Sequence, residues 1–133
     1  MVIDSSALLA IVFGESDQEI YINAIAEAMR DRSNLYIPAS VLVEAGIAAE
    51  QRQRGVQLDT LTDWIGADVV RLDERLAQIA RAAFLQFGRG RHKANLNFGD
   101  CMSYATARSL ELPLLYKGAD FENTDIQSAL RSR

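Results

Sequence analysis

Residues 1–14 read MVIDSSALLAIVFG, and Asp4 is the only charged residue among them. The first three residues form an apolar, strand-like start, and the Asp-Ser-Ser that follows contains residue types that begin helices. The stretch therefore predicts a short buried strand and then a helix from about Ser6 to Phe13, ended by Gly14. A carboxylate between two such segments needs a partner, because burying it unpaired is costly or forces it to protonate.

The rest of the chain repeats this alternation of short apolar runs with longer segments of helical periodicity. The predicted strands are 1–3, 35–37, 69–72 and 114–116, and the predicted helices are 6–13, 17–29, 41–54, 58–65, 73–87 and 99–110. Ser40 is expected to cap the third helix, and Gly55 is expected to end it. The alternation predicts an α/β fold in which helices cover both faces of a mainly parallel central sheet.

Length and composition limit what the chain can be. With 133 residues, a hydrophobic fraction of 49% and no Pro/Gly/Ser-rich linker, it is predicted to be one domain over residues 1–133. The net charge of -4 argues against nucleic-acid binding through overall charge alone. Cys101 is the only cysteine, no basic region precedes the first apolar run, and no uncharged run is long enough to span a bilayer. We therefore expect a cytoplasmic protein without a membrane span.

Two further acids stand alone in apolar surroundings, as Asp4 does. Glu44 is the only charge in residues 34–49, and Asp100 is the only charge in residues 94–107. Asp4 and Asp100 each begin a helix, and helix N-termini at the carboxyl ends of parallel strands point into one crevice. The alternative is that both acids only cap their helices and that Glu44 faces water. If the three carboxylates meet, an all-oxygen site suits Mg²⁺ or Mn²⁺ better than zinc or copper.

The other reactive side chains favour simpler roles. His92 stands between Arg91 and Lys93, which favours a surface or phosphate-contacting residue over a general base. Cys101 is expected to pack within its helix, and the chain contains neither GxxxxGK[ST] nor GxGxxG. Together with Arg89, these basic residues form the densest basic run of the chain. The run is either a solvated loop or a local contact for nucleic-acid phosphates.

Four sequence blocks in this order resemble the PIN-domain ribonucleases, most of all the VapC toxins of bacterial toxin–antitoxin pairs. The blocks are IDSSALLAI (3–11), PASVLVEAGI (38–47), NFGDCMSYATA (97–107) and LLYKGADFENTDI (114–126). The resemblance covers essentially the whole chain. It implies a compact PIN-like three-layer fold whose acidic pocket binds Mg²⁺ or Mn²⁺ and cleaves RNA.

The resemblance also implies roles for particular residues. The catalytic and metal-binding acids are, by motif, Asp4, Glu44, Asp100 and Asp120. Ser6 matches a hydroxyl position that supports the metal site, and Asp125 is expected at the rim. The basic run Arg89, Arg91, His92 and Lys93 would contact RNA. A VapC-like protein implies two protein partners as well, a VapB-type antitoxin over the helices near 20–29 and 41–49 and a second copy in a homodimer.

Two other functions compete with the nuclease. A non-catalytic PIN-like module would bind RNA or an antitoxin without cleaving, although the presence of all four acids argues against it. A phosphotransfer receiver domain also has α/β order and a lysine after its last strand, where this chain has Lys117. A receiver would need adjacent acids after its first strand, but Asp4 stands there alone. Mg²⁺-dependent cleavage of RNA would separate the nuclease from both alternatives.

Overall fold

The computed structural model describes residues 1–130, so the last three residues of the predicted domain lie outside the described part. Six α-helices, four strands and one 3₁₀ helix follow one another along these residues. The strands are β1 (Val2–Ile3), β2 (Tyr36–Pro38), β3 (Asp68–Val70) and β4 (Leu114–Leu115). The α-helices are α1 (Ser5–Val12), α2 (Gln18–Arg30), α3 (Ala39–Gln51), α4 (Gly55–Ile65), α5 (Glu74–Phe87) and α6 (Phe98–Leu110), and the 3₁₀ helix is Phe121–Asn123.

The four strands form one sheet in the order β3-β2-β1-β4, and every pair is parallel. Val2 in β1 is aligned with Tyr36 in β2 on one side and with Leu114 in β4 on the other. Parallel neighbours need crossover connections, and the helices between the strands supply them. The predicted parallel α/β sheet is therefore confirmed.

Alternate residues of the central strands enter two separate hydrophobic cores. Val2 and Leu114 belong to the core that includes α5 and α6, whereas Ile3 and Leu115 belong to the core that includes residues of α1 to α4. All four side chains are fully buried. Because successive side chains of a strand point to opposite faces, this pattern places helices on both faces of the sheet. The three-layer arrangement is confirmed.

Several predicted helix boundaries were wrong. The helix α3 begins at Ala39 after Pro38, without a side-chain cap, so Ser40 does not cap it. It also ends at Gln51, before Gly55, because Gln53 takes the left-handed conformation (φ 57°) that was expected of the glycine. Gly55 instead begins α4. Among the described residues, no helix is long and apolar enough to cross a bilayer.

Candidate active site

Asp4 lies directly after β1, at the carboxyl edge of the parallel sheet. The segment from Lys117 to Asp120 follows β4 at the same edge, and α3 starts there from β2. The backbone amide of Asp4 donates to the carbonyl of Leu115, which ties the two strand ends together (2.9 Å). Parallel topology thus brings segments that are far apart in sequence to one place, as expected for α/β sheets.

The side chain of Asp4 is buried and fully engaged in hydrogen bonds. It is 2% exposed. Its Oδ2 accepts from the backbone amide of Ser6 (3.1 Å) and from the Ser6 hydroxyl (2.6 Å), and its Oδ1 accepts from the Ser103 hydroxyl (2.5 Å). Asp4 therefore caps α1, as the capping interpretation predicts, but it is also joined to α6 through Ser103. The predicted supporting role of Ser6 corresponds to a direct contact with this acid.

Glu44 reaches the cluster from the middle of α3. The residue is exposed, and its carboxylate accepts a hydrogen bond from the hydroxyl of Ser5. The same carboxylate lies against Gly99 in the first turn of α6, so closely that a β-carbon at that position would overlap it. Glu44 thus faces α1 and α6 rather than only water.

Asp100 combines a capping role with a perturbed acidity. Its carboxylate accepts from the backbone amide of Asn97 (3.0 Å), while its own amide donates to the Asn97 side chain (2.8 Å), which forms a capping box. The pKa of Asp100 is raised to about 6 in total: burial raises it most, the hydrogen bond from Asn97 lowers it, and the charges of Asp4, Asp120 and Glu44 also raise it. The predicted acids are therefore electrostatic neighbours of Asp100.

Asp120 and Asp125 lie in the segment after β4 in different surroundings. Asp120 is exposed, and its charge acts on Asp100. Asp125 accepts from the hydroxyl of Tyr104 (2.6 Å) and lies 3.8 Å from the guanidinium of Arg108. These contacts hold Asp125 beside the middle of α6, and its role at the rim stays a prediction.

The carboxylates do not form a ready-made coordination sphere. Within residues 1–130, no group of three His, Cys, Asp or Glu side chains is placed to hold a metal ion as it stands. What the structure provides is a set of neighbouring acids in which burial, together with the like charges of the others, raises the pKa of Asp100.

The basic run belongs to an ordered loop between α5 and α6. Leu96 anchors it, since its amide donates to the carbonyl of Phe87 (3.0 Å) and its carbonyl accepts from the amide of Arg89 (2.9 Å). The Nδ1 of His92 accepts from the amide of Ala94 (3.0 Å), and its ring packs edge-on against Phe87. His92 is thus a structural part of the loop.

The outer basic residues of the loop are more exposed than His92. Arg89, Arg91 and Lys93 are all exposed, and the Nε of Arg91 donates to the carbonyl of Leu85 (3.3 Å). The loop therefore offers three accessible cations, a few residues before Asp100 in the chain.

Sequence reasoning missed four residues that shape the cluster: Ser5, Asn97, Gly99 and Ser103. Ser103 had a detectable signal in the sequence, because it lies about one helical turn after Asp100 and therefore on the same face of the helix. Gly99 had a weaker signal in the sequence. A glycine within a helix is unfavourable unless a neighbouring group packs where a side chain would otherwise lie.

Comparisons with known proteins agree with this arrangement. The PIN domain family matches residues 1–127. The chain is 42% identical to a VapC ribonuclease of Mycobacterium bovis over 137 aligned positions that cover all of both proteins. It is 38% identical to the ribonuclease VapC of Mycolicibacterium smegmatis over 95% of this chain and 97% of the relative.

Solved structures show the same fold at low sequence identity. A Mycobacterium tuberculosis toxin, VapC20, described as cleaving the sarcin–ricin loop, superimposes with a TM-score of 0.72 at 16% identity, over 94% of this chain and 95% of that one. A toxin–antitoxin complex from Klebsiella pneumoniae contains a chain that matches with a TM-score of 0.67 at 14% identity, over 93% and 92%.

These matches also exclude the phosphotransfer receiver domain. Lys117, which a receiver domain would direct at its phosphorylated acid, instead forms ion pairs with Glu15 and Asp17. From the match over residues 1–127 and the identity to full-length relatives, the chain belongs to the PIN-domain family and, within it, to the VapC ribonucleases.

Proposed function

We propose that the protein is a metal-dependent endoribonuclease that hydrolyses phosphodiester bonds in RNA at a site built from Asp4, Glu44, Asp100 and Asp120. The observation that carries the proposal is the convergence of the acids at the carboxyl edge of the sheet, where Ser6 and Ser103 hold the buried Asp4 and the Glu44 carboxylate lies against Gly99, next to Asp100. Four carboxylates that repel one another are favourable only if a cation or a proton joins them. Membership of a ribonuclease family gives the reaction class.

The donor set fits a hard divalent cation. Carboxylate oxygens are the ligands that Mg²⁺ and Mn²⁺ prefer, and neither a cysteine nor a histidine is part of the cluster. Within residues 1–130 no three acids are placed to share one ion, so a bound Mg²⁺ would have to keep several of its waters, as it tends to do in proteins. Such an ion, when bound, acidifies a water molecule and offsets negative charge on the phosphate.

The residues of the chain would divide the work of the reaction. Asp4, held by the hydroxyls of Ser6 and Ser103, is a fixed anionic centre for the cation. Asp100, fixed at the start of α6 by its capping box with Asn97, is a second anionic ligand for the cation. Attack by water on phosphorus, with departure of the 3′-oxygen, leaves a 3′-hydroxyl and a 5′-phosphate.

The basic loop is the proposed site for RNA phosphates. Arg89, Arg91 and Lys93 are exposed. They place positive charge locally on a protein whose net charge of -4 would otherwise repel RNA. His92 can contribute only through its Nε2, because its Nδ1 already accepts from Ala94.

Protein partners form the second part of the proposal. We propose that the protein pairs with a VapB-type antitoxin and forms a homodimer in the cytoplasm. Exposed apolar side chains on both helices named for the antitoxin support this: Ile20 on α2, and Val43 and Ile47 on α3, are each more than half exposed. The Klebsiella pneumoniae complex shows that a chain of this fold is part of a toxin–antitoxin assembly.

The test is cleavage of defined single-stranded and hairpin RNAs by purified protein in Mg²⁺, in Mn²⁺ and in EDTA. We expect cleavage only with a divalent ion, and products with 5′-phosphate ends. An Asp100→Asn variant prepared in parallel excludes a contaminating nuclease. A protein that binds RNA but cleaves none of it in either metal would instead be the non-catalytic module.

A further inference from the structure

An ion cluster beside the acidic site is not used by the function proposed above. The Nζ of Lys117 donates to the carboxylate of Glu15 and to the Oδ1 of Asp17 (2.9 Å). Asp17 is itself fixed by the hydroxyl of Tyr21 (3.3 Å). Glu15 and Asp17 belong to the connection between α1 and α2, whereas Lys117 belongs to the segment after β4, so the cluster joins two remote parts of the chain.

The backbone of the same lysine contacts the acidic network directly. The amide of Lys117 donates to the Ser6 hydroxyl (2.9 Å), which in turn donates to Asp4 (2.6 Å). One residue therefore attaches the segment after β4 at two points, through its amide to the Asp4 network and through its side chain to the α1–α2 connection.

Asp120 lies between this attachment and a second one. Three residues after Lys117 comes Asp120, and the next residue, Phe121, is 2% exposed and packs against Tyr116 at 5.1 Å between ring centroids. Between the two attachments, Gly118 has a φ of 102°, which lets the chain turn sharply there. Only Gly118, Ala119 and Asp120 are left exposed.

We propose that Lys117 is a positioning residue, which through its ion pairs with Glu15 and Asp17 holds Asp120 in place beside Asp4 and Asp100. The inference rests on the proposed function, because it assumes that Asp120 helps to bind the cation. Without the ion pairs, the segment after β4 is still anchored by Phe121 and by the backbone amide of Lys117. It loses the attachment through the Lys117 side chain. Asp120 would then sample more positions, and the site would hold the cation less well.

The ion cluster is suited to a positioning role rather than to general stabilisation. The side chains of Lys117, Glu15 and Asp17 are 36%, 37% and 30% exposed. Ion pairs that are this exposed contribute little to global stability, because water and salt screen them. A variant without the cluster should therefore stay folded, and a change at the metal site would be visible.

The experiment measures the affinity for Mn²⁺ of the purified protein by calorimetry, with RNA cleavage recorded in parallel. Lys117→Met should weaken Mn²⁺ binding about tenfold, the size typical for loss of a group that orients a metal ligand. The double variant Glu15→Gln/Asp17→Asn should weaken it similarly, and Lys117→Arg should restore most of the affinity. Arg81→Met, at an exposed position of α5, removes the same charge and should have little effect.

A double-mutant cycle with Asp120→Asn gives the decisive comparison. If Lys117 acts through Asp120, Lys117→Met should weaken Mn²⁺ binding no further in the Asp120→Asn background. Amide hydrogen exchange should also be faster in residues 117–120 of Lys117→Met, with the sheet unchanged.

Unchanged Mn²⁺ affinity in Lys117→Met, or full additivity with Asp120→Asn, would overturn the inference while leaving the proposed nuclease intact. If the wild-type protein neither bound Mn²⁺ nor cleaved RNA, the proposed function itself would fail. A loss confined to RNA affinity and its salt dependence would instead make Lys117 a phosphate contact, which also overturns the positioning role.

Discussion

The acidic cluster and the basic loop adjoin the same helix start, yet they are built in opposite ways. In the cluster, Asp4 accepts from two hydroxyls and Asp100 is held by a capping box. In the loop, the backbone is fixed, but within residues 1–130 the side chains of Arg89 and Lys93 make no hydrogen bond or ion pair.

This difference corresponds to two kinds of task. Charges that act on a reacting atom must be held within a fraction of an ångström, so their conformational freedom is removed before the substrate arrives. Charges that hold a polyanion need only be near it, and mobile side chains can follow its backbone. Substitutions in the cluster should therefore alter the rate of the reaction, whereas substitutions in the loop should alter RNA affinity.

The largest effect is expected from Asp100→Asn. The amide keeps an oxygen for the backbone amide of Asn97 but removes the charge, so cleavage should fall on the order of 100-fold or more. The thermal midpoint of the metal-free protein should stay equal or rise, because a partly buried charge repelled by its neighbours is removed. Initial rates and differential scanning fluorimetry without metal measure the two quantities.

Asp73→Asn is the matched control for this variant. Asp73 caps α5 by accepting from the amide of Leu76 (2.9 Å), but it lies outside the acidic cluster. Its variant should keep normal cleavage. If Asp100→Asn also cleaved normally, Asp100 would be a cap and nothing more, and the contrast between the two regions would disappear.

A smaller loss is expected from Gly99→Ala. The new β-carbon would overlap the Glu44 carboxylate, which is the movable end of a flexible side chain, so the glutamate should move and the fold should remain. Displacing a catalytic group by about 1 Å can cost on the order of 10- to 100-fold in rate. Cleavage rates and circular dichroism together test this expectation.

Gly55 provides a matched control away from the acidic cluster. A β-carbon at Gly55 would overlap the carboxylate of Glu50, a glutamate with no proposed role. Gly55→Ala should therefore leave cleavage unchanged. Equal losses in the two variants would show that the glycines matter for folding, and equal retention would remove Glu44 from the reaction.

Much of the fold could be predicted, because each strand and helix carries its own local periodicity. Asp4 was also detectable, since a lone charge beside buried segments has few explanations. The long-range contacts that hold Asp4 in place could not be detected from the sequence. Ser103 contacts Asp4 across 99 residues of sequence, and Lys117 reaches Ser6 across 111. Such contacts depend on how α6 and β4 pack beside β1, which local patterns do not encode.

Substitutions in the basic loop should alter binding and leave the chemical step intact. In the triple variant Arg89→Ala/Arg91→Ala/Lys93→Ala, the plot of log RNA affinity against log salt concentration should become less steep by about 2. Each lost phosphate contact on a single strand accounts for roughly 0.7 of that slope. The loop should keep its fold, because Ala94 and Leu96 stay buried. Fluorescence anisotropy at several salt concentrations measures the slope.

Cleavage at saturating RNA is the complementary measurement for the loop variant, and it should be retained. An unchanged slope with normal cleavage would make the loop a solvated connector. The RNA would then be held elsewhere, and Arg54 in the connection between α3 and α4 is the next candidate, because Arg52 already packs over the ring of Phe13 at 4.2 Å.

The smallest effect concerns the dependence of stability on pH. The pKa of Asp100 is raised to about 6 in the folded protein, from an ordinary value of 3.8. A group with a raised folded pKa stabilises the fold most at low pH, and this contribution is lost as pH rises through the folded pKa. Between about pH 4 and 6, Asp100 should therefore lower the thermal midpoint of the metal-free protein by a few degrees as pH rises.

The difference between wild type and Asp100→Asn isolates this contribution. Other acids act in the opposite direction, since Lys117 lowers the pKa of Asp17, and their effect is common to both proteins. The wild-type midpoint should fall relative to the variant as pH rises toward 6, and added Mn²⁺ should reverse that fall by taking the place of the proton. A constant difference in midpoint across this range would show that the acids do not repel one another as the structure implies. The acidic cluster would then have no perturbed pKa to distinguish it from the basic loop.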